Sequence, residues 1–270
     1  MTSVQKVIKY LALAFALFLI FSILSAIMFG VSTLSHIFSS NDSEIIEELK
    51  DINIIGDNIS YLDIDIKYAN LIIKRGDTLK AETNNKYISC NQEANKLIIK
   101  EKKHSLLFNR DDSNLIIYIP EKFIFDGVSI DSGAGKIEIE EIITKILELD
   151  LGAGKVIIDS LTVEDSAEID GGAGEIAILS GNINNLDLNV GVGKFTLTSK
   201  LTGNSKIDAG VGKLDIILFG TIDDYRIRVD KGIGSAKLEN DDIKSGNIYG
   251  SGVNIIDIDG GIGSIDIKIQ

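Results

Sequence analysis

Two stretches, Ile130-Asp-Ser-Gly-Ala-Gly-Lys-Ile-Glu-Ile139 and Leu149-Asp-Leu-Gly-Ala-Gly-Lys-Val-Ile-Ile158, share one pattern: an alternating segment, a Gly-x-Gly triplet and a second alternating segment. The pattern returns at 169–178, 188–197, 207–216, 229–238 and 258–267. The first glycines of the seven triplets follow one another at spacings of 19, 20, 19, 19, 22 and 29 residues. So regular a period is typical of supersecondary units that stack along the chain.

Each unit, about 20 residues long, is too short for a strand–helix–strand unit, which needs about 30 residues. Its segments alternate between apolar and polar residues or are wholly apolar, as in Lys213–Leu218, and this pattern predicts β-strands. One unit alone cannot bury its apolar side, whereas units stacked about 4.8 Å apart share backbone hydrogen bonds and bury a continuous column. We therefore predict an all-β chain folded as a β-solenoid of stacked repeats with Gly-x-Gly corners.

The glycines of the triplets are predicted to form the corners of this solenoid. Glycine adopts a positive φ readily and lets one corner approach the next closely. The predicted structural corners are Gly133, Gly135, Gly152, Gly154, Gly172, Gly174, Gly191, Gly193, Gly210, Gly212, Gly232, Gly234, Gly261 and Gly263.

Residues 52–130 are interpreted as the divergent opening part of the same β domain, because no linker separates them from the repeats. Pro120 interrupts the pattern, and the polar stretch 102–113 is predicted to be a protruding loop. The predicted strands of this region are centred on 64–66, 71–74, 97–100, 115–119 and 128–130.

An apolar stretch near the N-terminus, Tyr10–Phe29, is long enough to cross the roughly 30 Å hydrocarbon layer as a helix. Lys6 and Lys9 precede it, so the positive-inside rule places the N-terminus in the cytoplasm. The predicted location is the cell membrane, and the membrane is itself a predicted partner. The predicted domains are a cytoplasmic tail at 1–9, a single transmembrane helix at 10–36, a connector at 37–51 and an extracytoplasmic β-repeat domain at 52–270.

A cleaved signal peptide is the alternative interpretation of this apolar stretch. Such a peptide has an apolar region of about 7–15 residues that ends in an Ala-x-Ala-like cleavage site. The run here is longer, and Leu24-Ser25-Ala26 has a large residue where that site needs a small one. These two features favour an uncleaved anchor.

The charge and the cysteine content exclude several classes of function. The chain has 27 basic and 40 acidic residues and a net charge of −13. An acidic surface repels phosphate backbones, so we predict no nucleic-acid partner. Cys90 is the only cysteine, which excludes an intramolecular disulfide and a cysteine-based metal cluster.

The repeat superficially matches two ligand-binding motifs. A phosphate-binding Walker loop needs Gly-x4-Gly-Lys-Ser/Thr before a helix, whereas Lys136 is followed by Ile137 in a predicted strand. The calcium-binding nonapeptide needs an acid at its sixth position, but in the stretch that starts at Gly260 that position is Ile265. In a strand, an offset of one residue moves a side chain to the other face. We predict no cofactor.

Two rows of charge flank the predicted corners. Lys136, Lys155, Lys194 and Lys213 occupy the position after the triplet in four units. Stacked carboxylates about 5 Å apart repel by on the order of 1 kcal/mol in water, so something has to offset a row of them. We expect the lysine row, the corner amides and solvent to do so, and divalent cations bound along the row are the alternative. The row consists of Asp131, Asp150, Asp170, Asp208, Asp230 and Asp259, with Asn189 in the remaining unit.

The repeated strand–Gly-x-Gly–strand corners from Ile130 onward, the preceding strand Ile117–Pro120 and the lone N-terminal apolar helix resemble the bacterial putative-adhesin or "toast-rack" β-repeat family. The resemblance covers roughly residues 52–270. It implies an envelope-exposed β-solenoid of unknown function and carries over no catalytic residue.

These observations predict a membrane-anchored, surface-exposed, non-catalytic scaffold in adhesion or cell-envelope sensing, with an envelope or extracellular protein or glycan as partner. We predict no catalytic residues, since the sequence has neither a Gly-x-Ser-x-Gly elbow nor a His-Glu-x-x-His motif. A polysaccharide-processing enzyme built on a β-solenoid is one alternative, because some solenoids carry paired carboxylates on one face. An accessory subunit of an envelope stress signalling or transport complex is the other.

Overall fold

The computed structural model describes residues 49–52, 58–102 and 113–270. This part of the chain is all-β, as predicted, with sixteen strands in one sheet and a single turn of 3₁₀ helix. The strands are β1 (Lys50–Ile52), β2 (Tyr61–Ile66), β3 (Asn70–Gly76), β4 (Lys80–Thr83), β5 (Ile88–Glu93), β6 (Lys96–Glu101), β7 (Asn114–Pro120), β8 (Ile124–Ile178), β9 (Gly181–Asn184), β10 (Leu186–Thr202), β11 (Asn204–Leu218), β12 (Tyr225–Asp230), β13 (Ile233–Leu238), β14 (Asp241–Asp242), β15 (Ile248–Tyr249) and β16 (Asn254–Ile269), and the 3₁₀ helix is Ile222–Asp224.

The central strands stack in parallel at the predicted period. β10 pairs with β8 on one side and with β11 on the other. Leu188 stands opposite Ile169 in β8 and Ile207 in β11, and Ile207 is followed across the sheet by Ile258 in β16. Equivalent residues of successive repeats are therefore direct neighbours across the sheet.

This register aligns the apolar residues into two buried columns, one on each side of the Gly-x-Gly triplets, for which we keep the name corner. Both columns are almost fully buried, and each Ile or Leu contributes about 1.5–3 kcal/mol of transfer free energy before the entropy cost. The column before the corner contains Ile130, Leu149, Ile169, Leu188, Ile207, Ile258 and Val229. The column after the corner contains Ile137, Val156, Ile176, Phe195, Leu214, Ile265 and Ala236.

At both ends of the domain, the order of the coils in the stack differs from their order in the chain. β2 and β3 lie between β8 and the later strands β6 and β7, and they pair with both in parallel. Likewise, β16 lies between β11 and the earlier strands β12 and β13. The first and last long segments of the domain are thus covered on both sides, and an internal segment forms the outer coil at each end.

Antiparallel strands cover the outer coils. At the first end, β4 pairs with β7 and with β1, and β5 pairs with β6. At the other end, β15 pairs with β12 and β14 pairs with β13, over two residues each. Exposed strand edges invite pairing with other chains, and an antiparallel neighbour interrupts the parallel register that a further coil would need. We call these regions the N-terminal cap (β1, β4–β7) and the C-terminal cap (β12–β15).

A buried carboxylate completes the N-terminal cap. Glu101 is only 5% exposed, and its Oε2 accepts hydrogen bonds from the backbone N–H groups of Lys67 (2.7 Å), Tyr68 (2.9 Å) and Ala69 (3.4 Å). Its Oε1 accepts one from Asn85 Nδ2 at 2.9 Å. The segment 67–69 lies under the first Gly-x-Gly corner, so the carboxylate satisfies amides that face away from the stack at that position.

The strands predicted within residues 52–130 lie in β2, β3, β6, β7 and β8, whereas β4 and β5 were not predicted. Four predicted segments lie wholly or mostly outside the described residues: the tail at 1–9, the helix at 10–36, the connector at 37–51 and residues 103–112 of the loop. Within the described ranges, no helix has the length and apolar character needed to span a membrane.

Candidate interaction surface

The first glycine of each corner is required by space. A Cβ added to Gly152 would overlap the carbonyl oxygen of Gly133 in the preceding coil, and the same overlap recurs between Gly210 and Gly191. Each coil therefore places a backbone carbonyl close to the Cα of the next coil. Any side chain at this position would push two coils apart.

The second glycine of each corner is required by space and by backbone conformation. Gly154, Gly193 and Gly212 have φ values of 149°, 143° and 145°, which residues with a side chain rarely adopt. An added Cβ at Gly193 would also overlap the carbonyl oxygen of Gly174. The two glycines of the triplet thus serve different purposes, which the sequence pattern alone does not distinguish.

The residue between the two glycines is exposed, and it grows larger along the stack. In stack order these residues are Ala134, Ala153, Ala173, Val192, Val211, Ile262 and Ile233. The last four are exposed to 43%, 47%, 52% and 74%. We call these four side chains the corner ridge. The ridge was not predicted from the sequence, although the middle residue of the triplet changes from Ala to Val to Ile along the chain.

The predicted Asp row lies on one flank of the corners. Asp208 stands opposite Asn189 and Asp259, and Asp230 stands opposite Asp259. Asp131, Asp150 and Asp170 precede corners that stack directly on one another. The row also extends into the N-terminal cap, because Asp131 stands opposite Asp65.

Neighbouring side chains on the same flank offset the charge of the Asp row. Lys67 Nζ lies 2.7 Å from Asp65 and 3.3 Å from Asp131, and these two carboxylates, Asp65 above all, raise the pKa of Lys67. Asn189 Nδ2 donates to Asp170 Oδ1 at 2.8 Å, so the one amide in the row separates two carboxylates.

The same arrangement continues toward the C-terminal cap. Lys206 Nζ lies 2.5 Å from Asp208, and the hydrogen bond to this carboxylate raises the pKa of Lys206. Arg228 pairs with Asp230 and Asp257 at 3.6 Å and 3.2 Å.

The predicted lysine row lies on the other flank and does not pair with the Asp row in the ion pairs of the described residues. Lys136 pairs with Glu138, and Lys155 pairs with Glu175 of the next coil. Lys213 lies 2.7 Å from Asp215. In these ion pairs each row therefore has partners on its own flank. The expected offset of the Asp row by the lysine row, the corner amides and solvent together stays a prediction.

Within the described ranges, no group of three or more His, Cys, Asp or Glu side chains is arranged to hold a metal ion. His104 lies outside these ranges. Cys90 is half-buried in β5, and burial raises the pKa of its thiol, which disfavours the reactive thiolate. Two small hollows lie against the corners, and glycine and aliphatic residues make up most of their walls.

The chain is similar to several solved structures at low identity. One is a "putative cell adhesion protein" from Clostridium sporogenes, at 17% identity and a TM-score of 0.36 over 83% of this chain and 98% of that one. A "putative adhesin" from Bacteroides fragilis matches at 14% identity and a TM-score of 0.31 over 83% and 98% of the two chains. A "putative lipid binding protein" from Parabacteroides distasonis matches at 18% identity and a TM-score of 0.41 over 82% and 96%.

No curated protein is significantly similar to this chain. The model of one domain family, described as Toastrack DUF4097, matches residues 59–267. This range includes every Gly-x-Gly corner and all cap strands except β1. The chain therefore belongs to the Toastrack DUF4097 family, in agreement with the resemblance noted from its repeats.

Proposed function

We propose that the protein is a non-catalytic interaction protein, in which a membrane anchor holds a surface-exposed β-solenoid that acts in adhesion or cell-envelope sensing. The helix predicted at 10–36 serves as the anchor. β1 is the first described strand and pairs at the outer edge of the N-terminal cap, so the chain enters the β domain at that end.

The observation that carries this proposal is the repetition of the surface. Polar and apolar rows recur coil after coil on either side of the corners, and repeat domains use such extended surfaces for binding. An enzyme site instead brings a nucleophile, a base and an orienting group together in one concave pocket. The hollows at the corners have mostly glycine and aliphatic walls, which favours the interaction role.

Cysteine labelling of the full-length chain tests the predicted topology. In a Cys90→Ser background, Lys200→Cys places one thiol at an exposed position of the stack, and Lys6→Cys places one before the predicted helix. We expect a membrane-impermeant maleimide to label position 200 in intact cells and position 6 only after lysis. Labelling of position 200 only after lysis would contradict the proposal.

Two further assays separate the proposed role from its alternatives. The full-length chain is expected to bind isolated cell-envelope fractions without consuming wall or capsule polysaccharide, and turnover would establish the polysaccharide-processing enzyme instead. Replacement of residues 10–36 by an unrelated transmembrane helix is expected to leave adhesion unchanged. Loss of envelope signalling with this replacement would favour the accessory subunit, since only that role depends on the helix itself.

A further inference from the structure

We propose that the corner ridge is a self-association surface, on which a second copy of this chain packs side by side and in the same direction. The proposal goes beyond the interaction role above and does not depend on it. It rests on the exposure of the ridge, its spacing and the charges on its two flanks.

The ridge is a continuous apolar feature. Val192 stands opposite Val211, Val211 opposite Ile262, and Ile262 opposite Ile233. Together they expose on the order of 300 Å² of apolar surface, the size of the largest patch on a typical monomer, and such patches often mark interaction sites. Because a glycine stands on both sides of each ridge residue, no side chain next to it in the chain shields it.

The spacing of the ridge matches another copy of itself. Its side chains project from adjacent strands, about 4.8 Å apart, and a second ridge in register has the same spacing. Two-fold symmetric association uses one patch on both copies and needs no other partner. A stable dimer buries about 800 Å² on each partner, so the polar flanks have to be part of the interface.

The flanks decide the direction of the second copy. In the coil of Val211, Asp208 lies before the corner and Lys213 after it, and every corner of the ridge has Asp or Asn on that first flank. With a two-fold axis parallel to the stack, Asp208 of one copy faces Lys213 of the other, and Asn189 faces Lys194. The acids of the other two ridge corners, Asp259 and Asp230, then face Ser264 and Ser235. An antiparallel arrangement would place acid against acid, which costs free energy. Charge complementarity therefore selects the parallel arrangement.

Single-cysteine crosslinking of the full-length chain tests this arrangement, because a two-fold axis along the stack brings each ridge residue near its own counterpart. In a Cys90→Ser background, Val211→Cys and Ile262→Cys are expected to give disulfide-linked dimers under mild oxidation. The control is Ile146→Cys, which replaces an apolar side chain of similar exposure, 42%, outside the ridge. We expect at least about tenfold more dimer at the ridge positions, because association raises the local thiol concentration.

Three results would overturn the proposal. The first is a dimer yield at positions 211 and 262 no higher than at 146. The second is preferential crosslinking between a Val192→Cys copy and an Ile233→Cys copy, which would indicate an antiparallel arrangement. The third is crosslinking of the ridge cysteines to a different protein.

A charge exchange tests the flanks in the same assay. Asp208→Lys or Lys213→Asp alone is expected to lower the yield of the Val211→Cys dimer, because like charges then face each other across the axis. The double exchange is expected to restore it. A double variant that stays as low as the single variants, while its thermal unfolding midpoint matches theirs, would show that these flanks do not meet.

Discussion

The centre of the stack and its two ends provide partners for their backbone N–H and C=O groups in different ways. In the centre, around β10 and β11, each coil is covered by a neighbour with the same pattern, and glycine corners allow the close approach. At the N-terminal cap, the buried carboxylate of Glu101 takes the place of a neighbouring corner. At the C-terminal cap, two short strands and the exposed hydroxyl of Ser245 cover the last coil.

This difference shows that a repeat protein needs two kinds of sequence. The repeated part requires small residues where backbones meet. A larger residue there displaces the coils on both sides of it. The caps require individual polar groups with no equivalent in the other coils, since each has to satisfy an edge that occurs once. Substitutions in the centre of the stack should therefore cost more stability than substitutions at the two caps.

The largest effect is expected for Gly193→Ala, at a second glycine of a central corner. It combines an unfavourable φ with an overlap between Cβ and a backbone carbonyl, so we expect a loss in unfolding free energy on the order of 4 kcal/mol or more. Chemical denaturation followed by circular dichroism measures it. Gly246→Ala is the control, because Gly246 has a φ of 77° but an added Cβ would meet only Asp230 Oδ1, at an ordinary contact distance of 3.5 Å. Equal losses for the two variants would contradict the role of coil-to-coil contact.

An intermediate effect is expected for Glu101→Gln at the N-terminal cap. The substitution keeps the shape but removes the charge that accepts three backbone hydrogen bonds, so we expect a loss of about 2 kcal/mol. Glu93→Gln in the exposed part of the same cap is the matched control and should change little. A Glu101 variant as stable as this control would show that solvent can replace the carboxylate.

A smaller effect is expected for Ser245→Ala at the C-terminal cap. Ser245 Oγ accepts a hydrogen bond from the backbone N–H of Lys231 at 3.0 Å, but the site is exposed and water can take its place. We expect a loss of at most about 1 kcal/mol. Hydrogen exchange at the amide of Lys231 should nevertheless be faster in the variant. Unchanged exchange would mean that this hydrogen bond does not protect the edge.

No measurable effect is expected from calcium on the Asp row. Four of its six carboxylates already have a partner that a divalent cation would have to displace: Asp131 has Lys67, Asp170 has Asn189, Asp208 has Lys206 and Asp230 has Arg228. The thermal unfolding midpoint should be the same in millimolar calcium and in chelator. A higher unfolding midpoint in calcium than in chelator would support the alternative of bound cations. It would also distinguish the Asp row from Glu101, whose carboxylate binds amides.

The sequence predicted the repeated part of the fold well and the caps poorly. The period and the alternation were sufficient to predict that the central segments are β and stack in register, but not that β8 runs unbroken through three Gly-x-Gly triplets. β4 and β5 were missed, since short antiparallel cap strands carry no repeat. Glu101 was missed for the same reason: one acid among 40 has no local signal that it will be buried.

The charged flanks of the corners were partly predictable from the sequence. The alignment of Asp131 through Asp259 follows from the period, whereas the pairing of the Asp row with Lys67, Lys206 and Arg228 does not. These partners are on the same flank two residues from an Asp of the row, or in a neighbouring coil. Which of several nearby charges meets an Asp depends on side-chain geometry rather than on spacing.

By itself, the sequence determined that the chain is all-β, that its units stack at intervals of about 20 residues, and where glycine is required, because backbone sterics and the burial of alternating apolar residues are local properties. Only the tertiary structure decided that β16 lies between β11 and β12, and that β2 and β3 lie inside β6 and β7. The segments 207–216, 229–238 and 258–267 have the same local pattern and could pair in any order. The connections between them and the antiparallel caps select one order, and these depend on contacts between residues far apart in the chain.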